Sequence, residues 1–333
     1  MGVKSLRAFL IGVLVSLIFA ILPLMATYAD AVEYPKKGKR ITWIITHSPG
    51  GGYDTCSRMA IRVMEKILGV TIVAKNVPGA GGRVGVNDIY RAKPDGYTIG
   101  MIAIPGMMIT QLVAETKFDC TKFKYLGRLA VQNYCLSVHP KSPFHSIQDL
   151  RNAQKPLRNG VTGGGTGMIV SVLTPELLKI PYTLVSGFKG STETLVALMA
   201  GDIDFTLTGS IVTHAKYVKT GDIRTIVSVT RKRSKALPDV PALTELGLEV
   251  PEYLFNMELQ RVVVAPPGTP DEIVDILRKA LMKVAEDKEF IAWGEKVDAG
   301  IEPVTGEEME KIVDSIGADI PKFKHLVAPY FQQ

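Results

Sequence analysis

The residues best suited to chemistry are two glycine-rich loops, each at the end of a β-branched run. The first is Ser48-Pro49-Gly50-Gly51-Gly52-Tyr53-Asp54, and the second is Thr162-Gly163-Gly164-Gly165-Thr166-Gly167. Glycines let a backbone approach a ligand closely, and a helix that follows such a loop offers free N–H groups to an anion. In open α/β sheets ligands sit outside the carboxyl ends of the strands, where both loops would lie. Ser48 and Thr166 add hydroxyl donors, and Tyr53 adds a ring that could cover a ligand or simply pack as wall. Asp54 and His47 could act as an acid and a base, but a loop-bracing or capping carboxylate is the more ordinary role for Asp54. Pro105-Gly106 and Thr208-Gly209-Ser210, which also end strands, are the next candidates.

Catalytic sets were sought and are absent. There is no G-x-S-x-G elbow and no G-x-x-x-x-G-K-[ST] loop, and Gly79-Ala80-Gly81-Gly82-Arg83-Val84-Gly85 misses G-x-G-x-x-G by one position. The five histidines have no H-E-x-x-H or C-x-x-C company. No catalytic residue, metal site or cofactor is therefore expected.

The loops need elements to hold them. Strands are expected over 41–46, 70–74, 97–102, 157–161, 180–185, 203–207 and 225–229. Ala60, Val63, Met64, Ile67 and Leu68 form one helical face, closed by Gly69. Ser146 to Asp149 and Thr305 with Glu308 read as capping boxes, and Thr269 as an N-cap with Pro270 in the first helical position. The alternation of strands and helices argues for α/β architecture with parallel sheets covered by helices.

Composition agrees. The chain has 333 residues, 46% hydrophobic and 22% charged, with a formal net charge of +6. This excludes disorder and favours two domains. The charge is mild and forms no stripe, so nucleic-acid binding is not expected. Lys4 and Arg7 precede an almost wholly apolar run over 8–22, followed by small residues up to Ala31. Residues 1–31 read as a secretory signal peptide, with an uncleaved anchor as the alternative. Cys56, Cys120 and Cys135 are expected as three separate thiols rather than a Cys120–Cys135 bridge plus a free thiol.

Six segments in order resemble one family. Ser48 to Asp54 is similar to the P-G-G-x-x-D loop of the tripartite tricarboxylate transporter substrate-binding proteins, the Bug-type receptors. Asn76 to Gly82 resembles their N-x-P-G-A-G-G, and Pro94-Asp95-Gly96-Tyr97-Thr98 their P-D-G-Y-T. Gly201-Asp202-Ile203-Asp204, Arg233-Ser234 with Leu237 to Pro241, and Ala265 to Pro270 follow in family order. The resemblance implies a type II periplasmic-binding-protein fold, two α/β lobes with a ligand cleft between them. It implies a periplasmic receptor, monomeric, that takes a small organic carboxylate to the membrane permease subunits of a tripartite transporter. It places the ligand on Ser48, Pro49, Gly50, Gly51, Gly52, Tyr53 and Asp54 of one lobe, and Gly163, Gly164, Gly165, Thr166 and Gly167 of the other. The chain departs from common members at Gly52-Tyr53, at Met168-Ile169 and at Arg83. The order of motifs, with prolines at His139-Pro140 and Pro251-Glu252, suggests one lobe over 38–135 plus 258–333 and the other over 136–257. A secreted α/β enzyme acting on a carboxylate, with Asp54 and His47 as its acid–base pair, is the alternative.

Overall fold

A computed structural model describes residues 33–162, 165–188, 190–297 and 299–330. The proposed signal peptide and Gly163-Gly164 lie outside the described residues. The chain divides after Lys36, and everything below concerns the unit from Lys37 onward.

The first sheet has the strand order β11-β4-β10-β3-β1-β2. Its strands are β1 (Arg40–Ile45), β2 (Thr71–Asn76), β3 (Thr98–Ile104), β4 (Lys124–Gln132), β10 (Leu259–Ala265) and β11 (Ile301–Thr305). The second has the order β7-β6-β8-β5-β9, built from β5 (Cys135–Val138), β6 (Leu157–Thr162), β7 (Tyr182–Phe188), β8 (Phe205–Thr206) and β9 (Arg224–Ser228). The helices are α1 (Gly52–Leu68), α2 (Arg83–Arg91), α3 (Gly106–Val113), α4 (Ile147–Arg151), α5 (Gly165–Leu177) and α6 (Ser191–Ala200). They continue with α7 (Ile211–Lys219), α8 (Glu252–Phe255), α9 (Asp271–Glu286), α10 (Lys288–Val297) and α11 (Gly306–Val327).

The architecture is α/β, but the sheets are mixed rather than parallel. β1 runs parallel to β2 and β3, whereas β10 is antiparallel to both β3 and β4. In the second sheet β6 is parallel to β7 and β8, and β5 is antiparallel to β8 and β9. The reversal arises because the chain leaves the first sheet along β4 and returns along β10. Only Asn133 and Tyr134 separate β4 from β5. The strand β3, Thr-Ile-Gly-Met-Ile-Ala-Ile, is buried from Ile99 onward, as a central strand covered on both faces must be.

The helices follow their sequence signals. α1 buries Ala60, Val63 and Met64 and ends on Gly69 in the left-handed region. Ser146 and Thr305 each close a capping box, with Asp149 and Glu308. Thr269 does not cap α9: its hydroxyl donates to the Pro266 carbonyl at 2.8 Å, and Pro270 takes the capping position. One hydrophobic cluster runs through both sheets, joining Ile102 and Ile104 to Leu136, Ile169, Leu173 and Ile316. α5 is the link, packing on α3 and α11. The three cysteines are separate and buried.

Candidate functional site

β1 and β3 of one sheet, and β6 and β8 of the other, end around a cavity of about 470 Å³. Thr46, His47, Ser48, Gly52 and Tyr53 line it from the first loop. Thr162, Thr166, Gly167, Thr208 and Gly209 line it from the second sheet. Of the remaining expected residues, Ser210 lines an adjoining cavity of about 350 Å³. Pro49, Gly50, Gly51, Asp54, Pro105 and Gly106 are not among the lining residues of either cavity. Gly163 and Gly164 lie outside the described residues.

The first loop is braced from within. Asp54 is 4% exposed and accepts from the Gly50 N–H at 2.9 Å, Asn76 Nδ2 at 2.9 Å and Arg58 Nε at 2.8 Å. Burial works to raise its pKa, but these donors outweigh it and hold the carboxyl below its ordinary value. Asp54 thus folds the loop back on the start of α1. Gly51 has φ −79°, and an added Cβ there would meet only the Ser48 carbonyl, at 3.6 Å. Gly52 is the constrained glycine: its Cβ would lie 2.6 Å from Arg261 Nη2.

Tyr53 fills the floor between two partners. His47 stacks on its ring with centroids 3.9 Å apart and an 11° interplanar angle. The Arg261 guanidinium lies 5.6 Å from the ring centroid on the same tyrosine. Burial first, and then the Arg261 charge, push His47 down to about 4, so its imidazole is neutral at pH 7. Burial pushes the Tyr53 phenol up, so it stays a neutral donor. The Thr46 hydroxyl donates to the Met101 carbonyl and lies 3.0 Å from His47 Nδ1, which fixes the imidazole at the loop entry.

The strand ends beside the second loop are held by neutral groups. Thr206 and Thr208 hydroxyls both donate to the Gly160 carbonyl, at 2.8 and 3.1 Å. His214, fully buried, contacts the Thr208 carbonyl through Nε2 at 2.8 Å and Ser137 Oγ through Nδ1 at 2.7 Å. Since the carbonyl can only accept, Nε2 carries the proton and Ser137 donates to Nδ1. Burial pushes His214 down to about 4 against the opposing Thr208 hydrogen bond.

Arg261, on β10, is the residue that sequence reasoning missed. It is 6% exposed and lines both cavities, together with Gly52, Gln132 and Ser191. Its Nη1 donates to the Ala299 carbonyl at 3.0 Å and its Nη2 to Gln132 Oε1 at 2.9 Å. The neutral-donor site expected from the loops is therefore a site with a buried cation. The available signal was a Gln-Arg pair set into the apolar run from Leu259 to Ala265. Three buried polar atoms around the larger cavity have no partner: Tyr53 Oη, Thr166 Oγ1 and Arg261 Nε. Such atoms are costly to bury alone, and a ligand rich in acceptors would satisfy them. No Asp or Glu is among the described residues lining either cavity. Among the described residues there is also no group of His, Cys, Asp or Glu fit to hold a metal ion. No helix of the described residues is long and apolar enough to cross a membrane.

Comparison with known proteins gives a consistent answer. The family model described as tripartite tricarboxylate transporter family receptor matches residues 56–326. A UPF0065 protein of Cupriavidus necator is 29% identical over 270 residues, covering 79% of each chain. A Rhodopseudomonas palustris protein solved with adipate superposes with a TM-score of 0.72 at 24% identity, over 90% of this chain and 99% of that one. MatC from Rhodopseudomonas palustris, solved with bound malate, gives 0.70 at 23% identity, over 88% and 100%.

Proposed function

The chain belongs to the tripartite tricarboxylate transporter receptor family, and on that premise we propose that it is an extracytoplasmic receptor. It captures a small organic carboxylate between its two lobes and delivers it to the membrane permease of such a transporter. It is a solute-binding receptor and not an enzyme, as its family and structural neighbours are. The placement of Asp54 agrees: its carboxylate is spent on Gly50, Asn76 and Arg58, so it makes no acid–base pair with His47 in the cavity.

The observation that carries the carboxylate is the set of unpartnered buried donors, Tyr53 Oη, Thr166 Oγ1 and Arg261 Nε, around a cavity with no acidic side chain among its described lining residues. Ser48 and Gly52 from one lobe and Thr166 and Gly167 from the other supply the jaws. The adipate and malate bound by two structural neighbours support the same ligand class. In this scheme residues 1–31 direct export to the periplasm. Residues 38–135 plus 258–333 form one lobe and 136–257 the other, hinged where the chain crosses at Asn133-Tyr134 and again before Leu259. Ligand held by both lobes draws them together, and the permease reads the closed form.

Native mass spectrometry of protein purified without refolding, followed by calorimetry with a carboxylate panel, tests this. The expected result is one bound carboxylate, released unchanged on denaturation. A panel that leaves both the mass and the heat signal unchanged would refute carboxylate capture.

A further inference from the structure

The chain passes between its two sheets at Asn133 and again at Glu258, and these crossings have two faces. Gln132, Tyr134, Leu259 and Arg261 line the ligand cavity. Asn133 and Glu258 line a separate cavity of about 350 Å³, since positions that alternate along an extended chain face opposite sides. The far wall of this rear cavity is the 230–234 segment after β9, and Glu302 of β11 lines it together with Glu258. We propose that Glu258 sets the receptor's ligand affinity from behind the hinge: its charge holds the cleft open, and a proton on it lets the cleft close. This rests on the receptor function above and adds a control that touches no ligand.

Each wall is tied to its own sheet. On the first sheet, Arg128 Nε donates to the Glu302 carbonyl at 3.0 Å and Arg128 Nη1 to Gln260 Oε1 at 3.0 Å, joining β4, β10 and β11. On the second, Thr244 Oγ1 donates to the Arg231 carbonyl at 2.9 Å and Thr230 Oγ1 to the Lys232 carbonyl at 2.7 Å. The walls therefore move with their sheets. The crossings lie between the two cavities, so a rotation about them that narrows the ligand cavity widens the rear one.

The charges on the two walls are opposite. Glu258 and Glu302 face Arg231, Lys232 and Arg233 across the cavity. The arginines have acids of their own: Arg231 Nε donates to Glu252 of α8 at 3.1 Å, Arg233 Nε to Glu245 at 2.9 Å, and Arg128 Nη2 lies 3.6 Å from Glu302. Glu258, partly buried, is repelled by Glu302 and attracted by Arg128 and Arg231. Only the attraction to Arg231 crosses the cavity and draws the rear walls together. Burial first, and then the Glu302 charge, push the Glu258 carboxyl up to about 7, so it changes charge near neutral pH. His47 and His214, at about 4, are silent there. Closure carries Arg231 away and so tightens the hold of Glu258 on its proton. By linkage, the proton tightens the hold on ligand.

Calorimetry with adipate and with malate between pH 8.5 and 6.5, where both are ionised, tests the proposal on the wild-type protein. Affinity is expected to rise about two- to fivefold on acidification, the size of one screened charge pair. Binding at neutral pH should take up part of a proton, read as a dependence of the heat on the buffer's ionisation enthalpy. Glu258→Gln should hold the acid-side affinity across the range and take up no proton, with melting curves to verify folding. Glu302→Gln should keep the rise but move it to lower pH, and an unmoved profile there would count against Glu258 if Glu258→Gln does not fold. A flat wild-type profile, a fall in affinity on acidification, or an unchanged profile in folded Glu258→Gln would overturn the proposal. Small-angle scattering of the ligand-free protein reads the hinge without any ligand. The radius of gyration should shrink from pH 8.5 to 6.5 in the wild type and stay constant in Glu258→Gln. If adipate and malate both fail to bind while that difference appears, the ligand class falls and the hinge control stands. A wild-type radius that does not change, or changes equally in the variant, would overturn the hinge control.

Discussion

The two glycine loops look alike in sequence but are held by opposite means. The first is organised by charge: Asp54 ties Gly50, Asn76 and Arg58 together at the start of α1. The strand ends beside the second carry neutral groups instead, with Thr206 and Thr208 donating to the Gly160 carbonyl and a neutral His214 donating to the Thr208 carbonyl. The helices differ in the same way. α1 is amphipathic and lies on the surface, with Arg58 and Arg62 exposed. α5 buries Met168, Ile169, Val170, Val172 and Leu173, and so is covered nearly all round. A surface helix can carry its own ion network, whereas a core helix cannot hold unpaired charge. On the proposed function, one jaw would recognise its ligand with charged and aromatic side chains around a braced loop, and the other with position and hydroxyls.

The contrast breaks most sharply at Asp54. Asp54→Ala leaves the Gly50 N–H without its acceptor and removes one of two acceptors from the Asn76 amide, which still donates to the His47 carbonyl. Arg58, half exposed, loses its ion pair but keeps its bond to Asn76 Oδ1. The expected cost is about 3 kcal/mol of stability, from hydrogen bonds to a charged group partly made good by water. Urea denaturation measures it, and calorimetry should show carboxylate binding lost as the loop unlocks. A variant that keeps both stability and affinity would mean that the loop holds its shape without the ion network.

Protonation tests the buried histidine of the second jaw next. His214 titrates at about 4 in the folded chain against 6.5 unfolded. Between those values the unfolded chain takes up a proton that the folded one refuses, so stability is full above pH 6.5 and falls as pH drops towards 4. One pKa unit is worth 1.36 kcal/mol, so the loss approaches about 2–3 kcal/mol at pH 4.5. Asp54 is depressed instead, so its contribution persists until the pH falls below its ordinary value of 3.8 and through its folded pKa. Between pH 6.5 and 4.5, then, each jaw loses the contribution of one buried neutral histidine, His47 on the first and His214 on the second, while Asp54 keeps its own. Urea melts across this range, compared with His214→Gln, check it: the variant should show a shallower slope, and equal slopes would remove His214 from the account.

How far the sequence carried the argument follows from the same contrast. Local signals were legible where one residue does one local job: Gly69 ends α1, and Ser146 and Thr305 close their capping boxes. The glycine loops pointed to strand ends around a cleft, since glycines after a β-branched run carry that signal whatever the tertiary context. The strands β4, β5, β10 and β11 were not legible, because their pairing is long-range and antiparallel: β10 meets β3 across nearly half the chain. Arg261 was hidden for that reason. Its role depends on Gly52, Gln132 and Ala299, which only the fold brings to it. Asp54 could equally have faced ligand or loop, and only the position of Asn76 decides between them.

The finest test of the comparison sets two hydroxyls against each other. Thr166 and Tyr53 each carry a buried oxygen without a partner, one on each jaw. In the free protein neither hydroxyl stabilises the fold, so Thr166→Ala and Tyr53→Phe should melt at or slightly above the wild-type temperature. With ligand they should diverge. Thr166 is 1% exposed at the start of a helix locked in the core, so it cannot be replaced by a shifted neighbour or by water. Its loss is expected to cost about 1–2 kcal/mol of carboxylate affinity, five- to thirtyfold. Tyr53 keeps its ring between His47 and Arg261 when the hydroxyl goes, so its stacking contribution survives. Arg261 stands beside it as an alternative donor, and the expected cost is about 0.5–1 kcal/mol. Paired calorimetry and melting curves on the two variants decide it. A larger loss at Tyr53 than at Thr166 would reverse the division of labour, placing hydroxyl recognition on the charged jaw and leaving α5 as wall.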